Sequence, residues 1–356
     1  MSKITRRAFL RKSTAAAALT IVPGTVLEAK QPSYISGEES RSVAGKRPNI
    51  ELRFNADKKF KIVQFTDLHV VWNEPKSDIV FERIDQVIGE EKPDLLILTG
   101  DIIFSKPGIE NMRKVLKAVS DHKIPFAITF GNHDHEQGAT NAELLKVAES
   151  MPYNVTFDEA PEISGDGNCV LPILSSDGKK DACALYCIDS HAYSQIEGIK
   201  GYDYIKRDQI DWYSKRSAEF KKQNGGVPLP SLAFFHIALP EYNLASTNEN
   251  AQVYGIRREK ACSPVLNSGM FTAMKENGDI MGVFVGHDHD NDYAVCWHDV
   301  LLAFGRYTGG DTVYNHLQNG ARIIELTEGT RAFKTWIRTK AGVEQVTTYP
   351  DSYVKK

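Results

Sequence analysis

The stretch Leu95-Leu-Ile-Leu-Thr-Gly-Asp101 is a run of four aliphatic residues followed at once by a hydroxyl, a glycine and a carboxylate. An unbroken apolar run of this kind suits a strand buried on both faces of a sheet. Two neighbouring stretches follow the same pattern: Phe60-Lys-Ile-Val-Gln-Phe65 runs into Thr66-Asp67, and Pro125-Phe-Ala-Ile-Thr-Phe-Gly-Asn132 runs into His133-Asp134. Between them the period becomes helical. Ile79, Val80, Ile84, Val87 and Ile88 recur three and four apart after the cap candidate Ser77, Pro93 marks the end, and a second helix is expected from Ile109 to Val119. The order β-α-β-α-β calls for right-handed crossovers, parallel strands, and C-terminal strand ends gathered on one edge.

Outward from this unit, Leu52-Arg-Phe54 and Phe60–Phe65 flank Asn55-Ala-Asp-Lys-Lys59 and read as the strands of a hairpin. Later apolar runs at Ala184–Ile188, Leu232–His236, Ile280–Gly286, Leu301–Gly305, Arg322–Leu326 and Phe333–Ile337 extend the expectation to an α/β fold of two mixed β-sheets, packed as a sandwich and flanked by helices. The expected boundaries are a targeting segment at 1–29, a linker at 30–50, one domain at 51–345 and a tail at 346–356.

The chain has 356 residues, 42% hydrophobic and 25% charged, with 43 basic against 46 acidic side chains and a net charge of −3. This composition excludes disordered, collagen-like and disulfide-scaffold classes. Thr5-Arg6-Arg7-Ala8-Phe9-Leu10 precedes an uncharged Ala-rich stretch, the pattern of a twin-arginine export signal, which implies passage through the twin-arginine translocase to the periplasm or beyond. The apolar part is too short for a membrane span, so none is expected in the mature chain. Cleavage after Ala29 would remove five basic residues and one acidic residue and leave a charge of −7, which disfavours a stable nucleic-acid partner. Five cysteines leave at least one thiol free. Cys183 and Cys187, four apart in one strand, are too distant to bridge each other.

Ligands of open α/β sheets gather outside the carboxyl ends of the strands. Five such ends carry Asp67-Leu-His69, Gly100-Asp101, Gly131-Asn132-His133-Asp134, His236 and Gly286-His287-Asp288-His289. One aspartate after a strand is an ordinary turn residue. Five oxygen and imidazole fragments, each closing its own apolar run, point to a metal site.

These blocks resemble the calcineurin-like metallophosphoesterase superfamily, with its Asp-x-His, Gly-Asp, Gly-Asn-His-Asp/Glu, His and Gly-His-x-His pattern. Phe235-His236-Ile-Ala-Leu-Pro-Glu-Tyr242, Asn267-Ser-Gly269 and Gly286-His-Asp-His-Asp-Asn-Asp292 resemble its purple-acid-phosphatase-like branch. The purple enzymes carry Tyr three residues after the Gly-Asp aspartate; Phe104 stands there, so no phenolate colour is expected, and His69 adds a ligand they lack. The resemblance implies one metal on Asp67, His69, Asp101 and His289 and a second on Asp101, Asn132, His236 and His287. Mixed nitrogen and oxygen donors suit two iron, manganese or zinc ions.

What the resemblance implies chemically is attack by a metal-bridging hydroxide on a phosphate monoester of a small molecule. His133 is the expected donor to the phosphoryl or leaving oxygen, and Asp134 is expected either to orient it or to hold a local turn. His191 and Arg306 are candidate substrate-binding residues. The roughly hundred residues between His133 and His236 are expected to form pocket walls, while Tyr202-Asp-Tyr204 and Trp212-Tyr213 read as packing groups. The alternatives are a phosphodiesterase or nucleotidase using the same site, and a non-catalytic binding protein on a phosphatase scaffold.

Overall fold

A computed structural model describes residues 48–354. The chain begins with β1 (Leu52–Arg53) and continues through β2 (Lys59–Phe65), α1 (Asp78–Glu91), β3 (Leu95–Thr99), α2 (Gly108–Ser120), β4 (Phe126–Thr129) and α3 (Asn141–Glu149). Next come β5 (Cys169–Leu174), β6 (Asp181–Cys187), α4 (Arg207–Gln223), β7 (Ser231–Phe234), α5 (Glu241–Ser246), β8 (Val253–Tyr254) and α6 (Met270–Asn277). The rest is β9 (Ile280–Val285), β10 (Ala294–Trp297), β11 (Val300–Phe304), β12 (Gly320–Thr327), β13 (Phe333–Thr339) and β14 (Gly342–Tyr349). One sheet runs β1-β5-β6-β7-β9-β11-β10-β8 and the other β14-β13-β12-β2-β3-β4. Both are mixed, and β2, β3 and β4 are parallel, as the crossover rule requires.

Strand alternation explains the layering. Leu95 and Ile97 of β3 face the other sheet, where they meet Leu185, Leu232 and Phe284, while Leu96 and Leu98 turn outward to the helices. Both faces are therefore apolar, and the strand reads as a continuous hydrophobic run. Val80, Ile84 and Val87 cover the outer face from α1, each worth roughly 1.5–3 kcal/mol when fully buried. Ile79 belongs to the other side of that helix and is exposed. On the opposite flank, Tyr213 and Phe220 of α4 and Met270 of α6 pack on Tyr186, Val283 and Leu302. Gln64 crosses the sandwich, donating to Thr99 Oγ1 at 2.9 Å and to the Val285 carbonyl at 3.0 Å, and so ties both sheets together just below their C-terminal edges.

Two sequence expectations are corrected. β1 and β2 are not a hairpin, because β1 pairs with β5 in parallel and β2 with β3 and β12 in the other sheet. The break at Asn55–Lys59 is a chain crossing between layers. Nor does the domain end at 345, since β14 runs to Tyr349 and Tyr353 is buried in the inter-sheet core. The twin-arginine segment at 1–29 and most of the linker lie outside the described residues. Among those residues, no helix is long and apolar enough to cross a membrane, and all five cysteines are free thiols.

Candidate metal centre

Five strand ends converge: β2, β3 and β4 from one sheet, β7 and β9 from the other. Asp67, His69 and His289 form one group of buried donors, and Asp101, His236 and His287 form a second, with the donor atoms in each within 4.8 Å of one another. Asp101 Oδ2 lies between the groups, 3.5 Å from His69 Nε2 and 3.2 Å from His236 Nε2. Its other oxygen accepts the His133 backbone N–H at 2.8 Å. Nε2 of His69 faces Nε2 of His289 at 3.1 Å, and Nδ1 of His287 faces Nε2 of His236 at 3.3 Å. Ligands about 2.1 Å from a shared cation stand roughly 3.0–3.5 Å apart, so this spacing is that of a coordination shell.

The local backbone is shaped for this convergence. Asp67, His69, Asp101 and His287 all have φ between 45° and 79°, a region that L-residues rarely adopt. The glycines of the sequence blocks have a steric role. A Cβ at Gly131 would strike Asp101 Oδ1, and one at Gly286 would strike Thr66 Oγ1 beside Asp67. The glycines of Gly-Asn-His and Gly-His thus mark backbones passing against carboxylates, and Gly100 of Gly-Asp marks one passing against the His236 ring and the Gly131 backbone.

The surrounding polar groups favour a cation. His236 Nδ1 donates to the Thr99 carbonyl at 2.7 Å and His289 Nδ1 to the Tyr314 carbonyl at 2.9 Å, so in each ring Nε2 is the nitrogen that faces the cluster. Asn132 Oδ1 is buried without a partner. Asn132 Nδ2 contacts the Tyr193 hydroxyl at 3.3 Å, which leaves the amide oxygen to the site. Asp67 accepts from Thr66 Oγ1 at 2.8 Å and from the His287 N–H at 3.0 Å. Burial pushes its carboxyl pKa up, against the pull of His236 and His289. Burial also lowers His69 and His287. For Asp101 burial is outweighed by the charge and hydrogen bond of His236, and the carboxyl is held well below its usual range. His236 goes the other way, to about 10, because Asp101 overrides its desolvation. These side chains fit two cations that share Asp101.

His133 stands beside the first group, its ring 5.6 Å from His69 and 5.0 Å from Phe104. Its Nδ1 is 2.6 Å from Glu136 Oε2, and Nε2 remains the nitrogen for a ligand. Asp134 does not orient it. One Asp134 oxygen accepts the N–H groups of Ile102 and Ile103 at 2.8 and 3.1 Å and the other accepts that of Gly131 at 2.8 Å, so this carboxylate holds the β3 and β4 loops together. Of the alternatives read from the sequence, the local hydrogen-bonding role describes it.

The structure does not bring His191 or Arg306 to the cluster. His191 Nε2 contacts Gln209 Oε1 at 2.7 Å, and Gln209 is itself tied to Asn168 and Asp189. Arg306 is buried in an ion pair with Asp292 and donates to Glu344 at 3.1 Å and to the Gln318 carbonyl at 2.7 Å, so both terminal nitrogens are engaged and only the buried Nε has no partner. Tyr193 and Tyr202 reach the site instead. Tyr202 meets His287 edge-on at 4.3 Å and stacks with Tyr193 at 5.6 Å, while Tyr314 stacks on His289 at 4.6 Å. No pattern around these tyrosines in the sequence marks them. Trp212 and Tyr213 do pack, edge-on against Tyr186.

Comparison with known proteins agrees with this geometry. Residues 60–291 match the family model described as calcineurin-like phosphoesterase. Among similar proteins, the probable inactive purple acid phosphatase 29 of Arabidopsis thaliana is 34% identical over 72% of this chain and 73% of its own. The probable inactive purple acid phosphatase 14 of the same plant is 30% identical over 78% and 77%. Phosphatase DCR2 of Saccharomyces cerevisiae is 34% identical over 81% of this chain and 55% of its own. Among solved structures, a dimetal phosphatase from Danio rerio superposes with a TM-score of 0.57 at 11% identity, over 81% of this chain and 98% of that one.

Proposed function

The chain belongs to the calcineurin-like phosphoesterase family, in its purple-acid-phosphatase-like branch, and from that premise we propose that it is a dinuclear-metal hydrolase of phosphate monoesters. The observation that carries this reading is the pair of buried donor groups sharing Asp101. Asp67, His69, Asp101 and His289 would hold one ion, and Asp101, Asn132, His236 and His287 the other. Bound iron, manganese or zinc lowers the pKa of coordinated water and withdraws charge from phosphoryl oxygens.

The chain's own groups do the rest. Asp101 keeps the two ligand groups in register, and the hydroxyl of Tyr193 fixes the flip of the Asn132 amide. Glu136 holds the His133 ring through Nδ1, and in its imidazolium form the ring can also donate Nε2–H to a phosphoryl or leaving oxygen. Asp134 keeps His133 and Asp101 on facing loops.

The test is metal content of the purified protein together with turnover of p-nitrophenyl phosphate and bis(p-nitrophenyl) phosphate, with Asp101→Ala as control. Two ions per chain and monoester turnover that Asp101→Ala abolishes support the reading. Preference for the diester makes the protein a phosphodiesterase. A second reading, a binding protein on a phosphatase scaffold, draws on the names of the two plant relatives. Absence of turnover after reconstitution with manganese, iron or zinc would favour it, although all seven ligand residues are in place in this chain.

Export through the twin-arginine route is part of the proposal and rests on Thr5-Arg6-Arg7-Ala8-Phe9-Leu10. Replacing Arg6 and Arg7 with Lys is expected to retain the protein in the cytoplasm, as cell fractionation would show.

A further inference from the structure

The two ligand groups each carry an aromatic side chain whose ring face the mechanism does not use. On the Asp101 side, Tyr193 is stacked on Tyr202 at an interplanar angle of 24°, its hydroxyl rests on Asn132, and Tyr202 abuts His287. On the Asp67 side, Tyr314 lies over His289 at 25°. Its own carbonyl accepts from that histidine, so ring and ligand are fixed by one residue. The Tyr314 hydroxyl is directed to the Glu259 carboxylate at 3.4 Å. Tyr193 remains 38% exposed and Tyr314 52% exposed, unusual for side chains touching a fully buried cluster. Each ring has one face stacked, and among the described residues no second ring stacks on the other.

We propose that Tyr193 and Tyr314 are specificity residues that flank the reacting phosphate and select esters whose leaving group carries a planar aromatic ring. This deepens the phosphoesterase reading and rests on it. The two surfaces would match. Rigid tyrosine rings offer large contact area with little rotamer freedom to lose, and flat partners gain from offset stacking beyond what area alone provides. Aliphatic or polyol esters would gain only the area. A phenol or benzyl alcohol on the ester oxygen and a nucleobase one sugar away share this chemistry, the planar face.

The experiment uses substrate pairs matched in the alcohol that leaves. Benzyl phosphate is compared with cyclohexylmethyl phosphate, and adenosine 5′-monophosphate with ribose 5-phosphate, in the metal-loaded protein and in the Leu and Phe variants of Tyr193 and Tyr314. The aromatic member is expected to have a kcat/KM about three- to tenfold higher in at least one pair. That ratio should collapse towards one in Tyr193→Leu or Tyr314→Leu and survive in the Phe variants. The pair with the larger ratio identifies the source of the ring. Ratios near one in both pairs, or a preference that the Leu variants keep, would overturn the proposal. Calorimetric binding of benzylphosphonate against cyclohexylmethylphosphonate separates the two levels of the argument. Absence of turnover with both substrates of a pair defeats the hydrolase reading, while unequal phosphonate binding that depends on the tyrosine rings still supports selection, and equal binding overturns it.

Discussion

Asp101 and His236 expose at most 1% of their surface, each fixed by strand ends and by hydrogen bonds to backbone groups or neighbouring ligands. Tyr193 and Tyr314 touch the same cluster from loops and expose 38% and 52%. The contrast separates two tasks. Metal ligation needs donors placed to a fraction of an ångström, and strand ends locked between two sheets provide that placement. Selection of a leaving group needs surface that can be reshaped without disturbing the ligands, and loops provide it.

The largest effect belongs to the shared ligand. Asp101→Ala removes a carboxylate from both groups at once, and turnover is expected to fall at least about a thousandfold, with metal content falling in parallel. A single lost ion with near-normal activity would mean that the two groups are independent. Arg306→Met comes next and acts on stability. The substitution leaves Asp292 buried without its cation, at a cost of about 3–5 kcal/mol, read by denaturant unfolding. KM of the folded remainder should stay close to wild type, whereas a large rise in KM would restore Arg306 as a phosphate contact.

His133→Ala should lower kcat about a hundredfold with metal content unchanged, and Glu136→Gln should lower it less. Asp134→Ala acts differently from both. Three backbone N–H groups lose their acceptor, so loss of stability, about 1–3 kcal/mol per unsatisfied buried group, should precede any kinetic effect. If Asp134→Ala instead kept its stability and copied the kinetics of His133→Ala, the orienting role would return to Asp134.

The floor was legible in the sequence because each of its parts obeys a local rule. A strand buried on both faces is a continuous apolar run, its end is where ligands gather, and a backbone packed against a carboxylate must be glycine. Leu95–Asp101 shows the first two, and Gly131 and Gly286 show the third. The three central parallel strands and their helices follow from the same periods. What was not legible depends on contacts distant in sequence. Leu52–Arg53 pairs with Ile173–Leu174 more than a hundred residues away, so proximity to β2 gave the wrong partner. β5 carries Pro172 inside its run, and β14 is an edge strand with Val343 and Val346 exposed, so neither has the pattern of a buried strand. Arg306 follows a strand end just as the ligands do, and only the position of Asp292 shows that its charge is already used. His191 and Tyr193 are two residues apart in one loop, and no periodicity distinguishes the one that turns to Gln209 from the one that turns to Asn132.

The smallest effect tests the surroundings by pH. Asp158, midway along the loop before β5, is 5% exposed, and its Oδ1 has no partner. Burial, with Asp166 nearby, pushes its pKa up to about 6. A carboxyl whose folded pKa exceeds its unfolded one favours the protonated state of the fold, so its contribution is present at low pH. As pH rises through about 4 towards 6 and beyond, ionisation costs stability on the order of 1–2 kcal/mol. Asp158→Asn removes that cost. The variant is expected to melt at a higher temperature than wild type at pH 7.5, with the difference vanishing near pH 4. Asp166 is raised to about 6 for the same first reason, burial, with Asp189 adding to it, and Asp166→Asn should behave alike. A difference in melting temperature that stays constant from pH 4 to pH 7.5 would show that these carboxylates are ionised throughout. Burial of these two carboxylates would then carry no cost, unlike the ligand floor, where Asp67, His69, Asp101 and His287 hold positive φ.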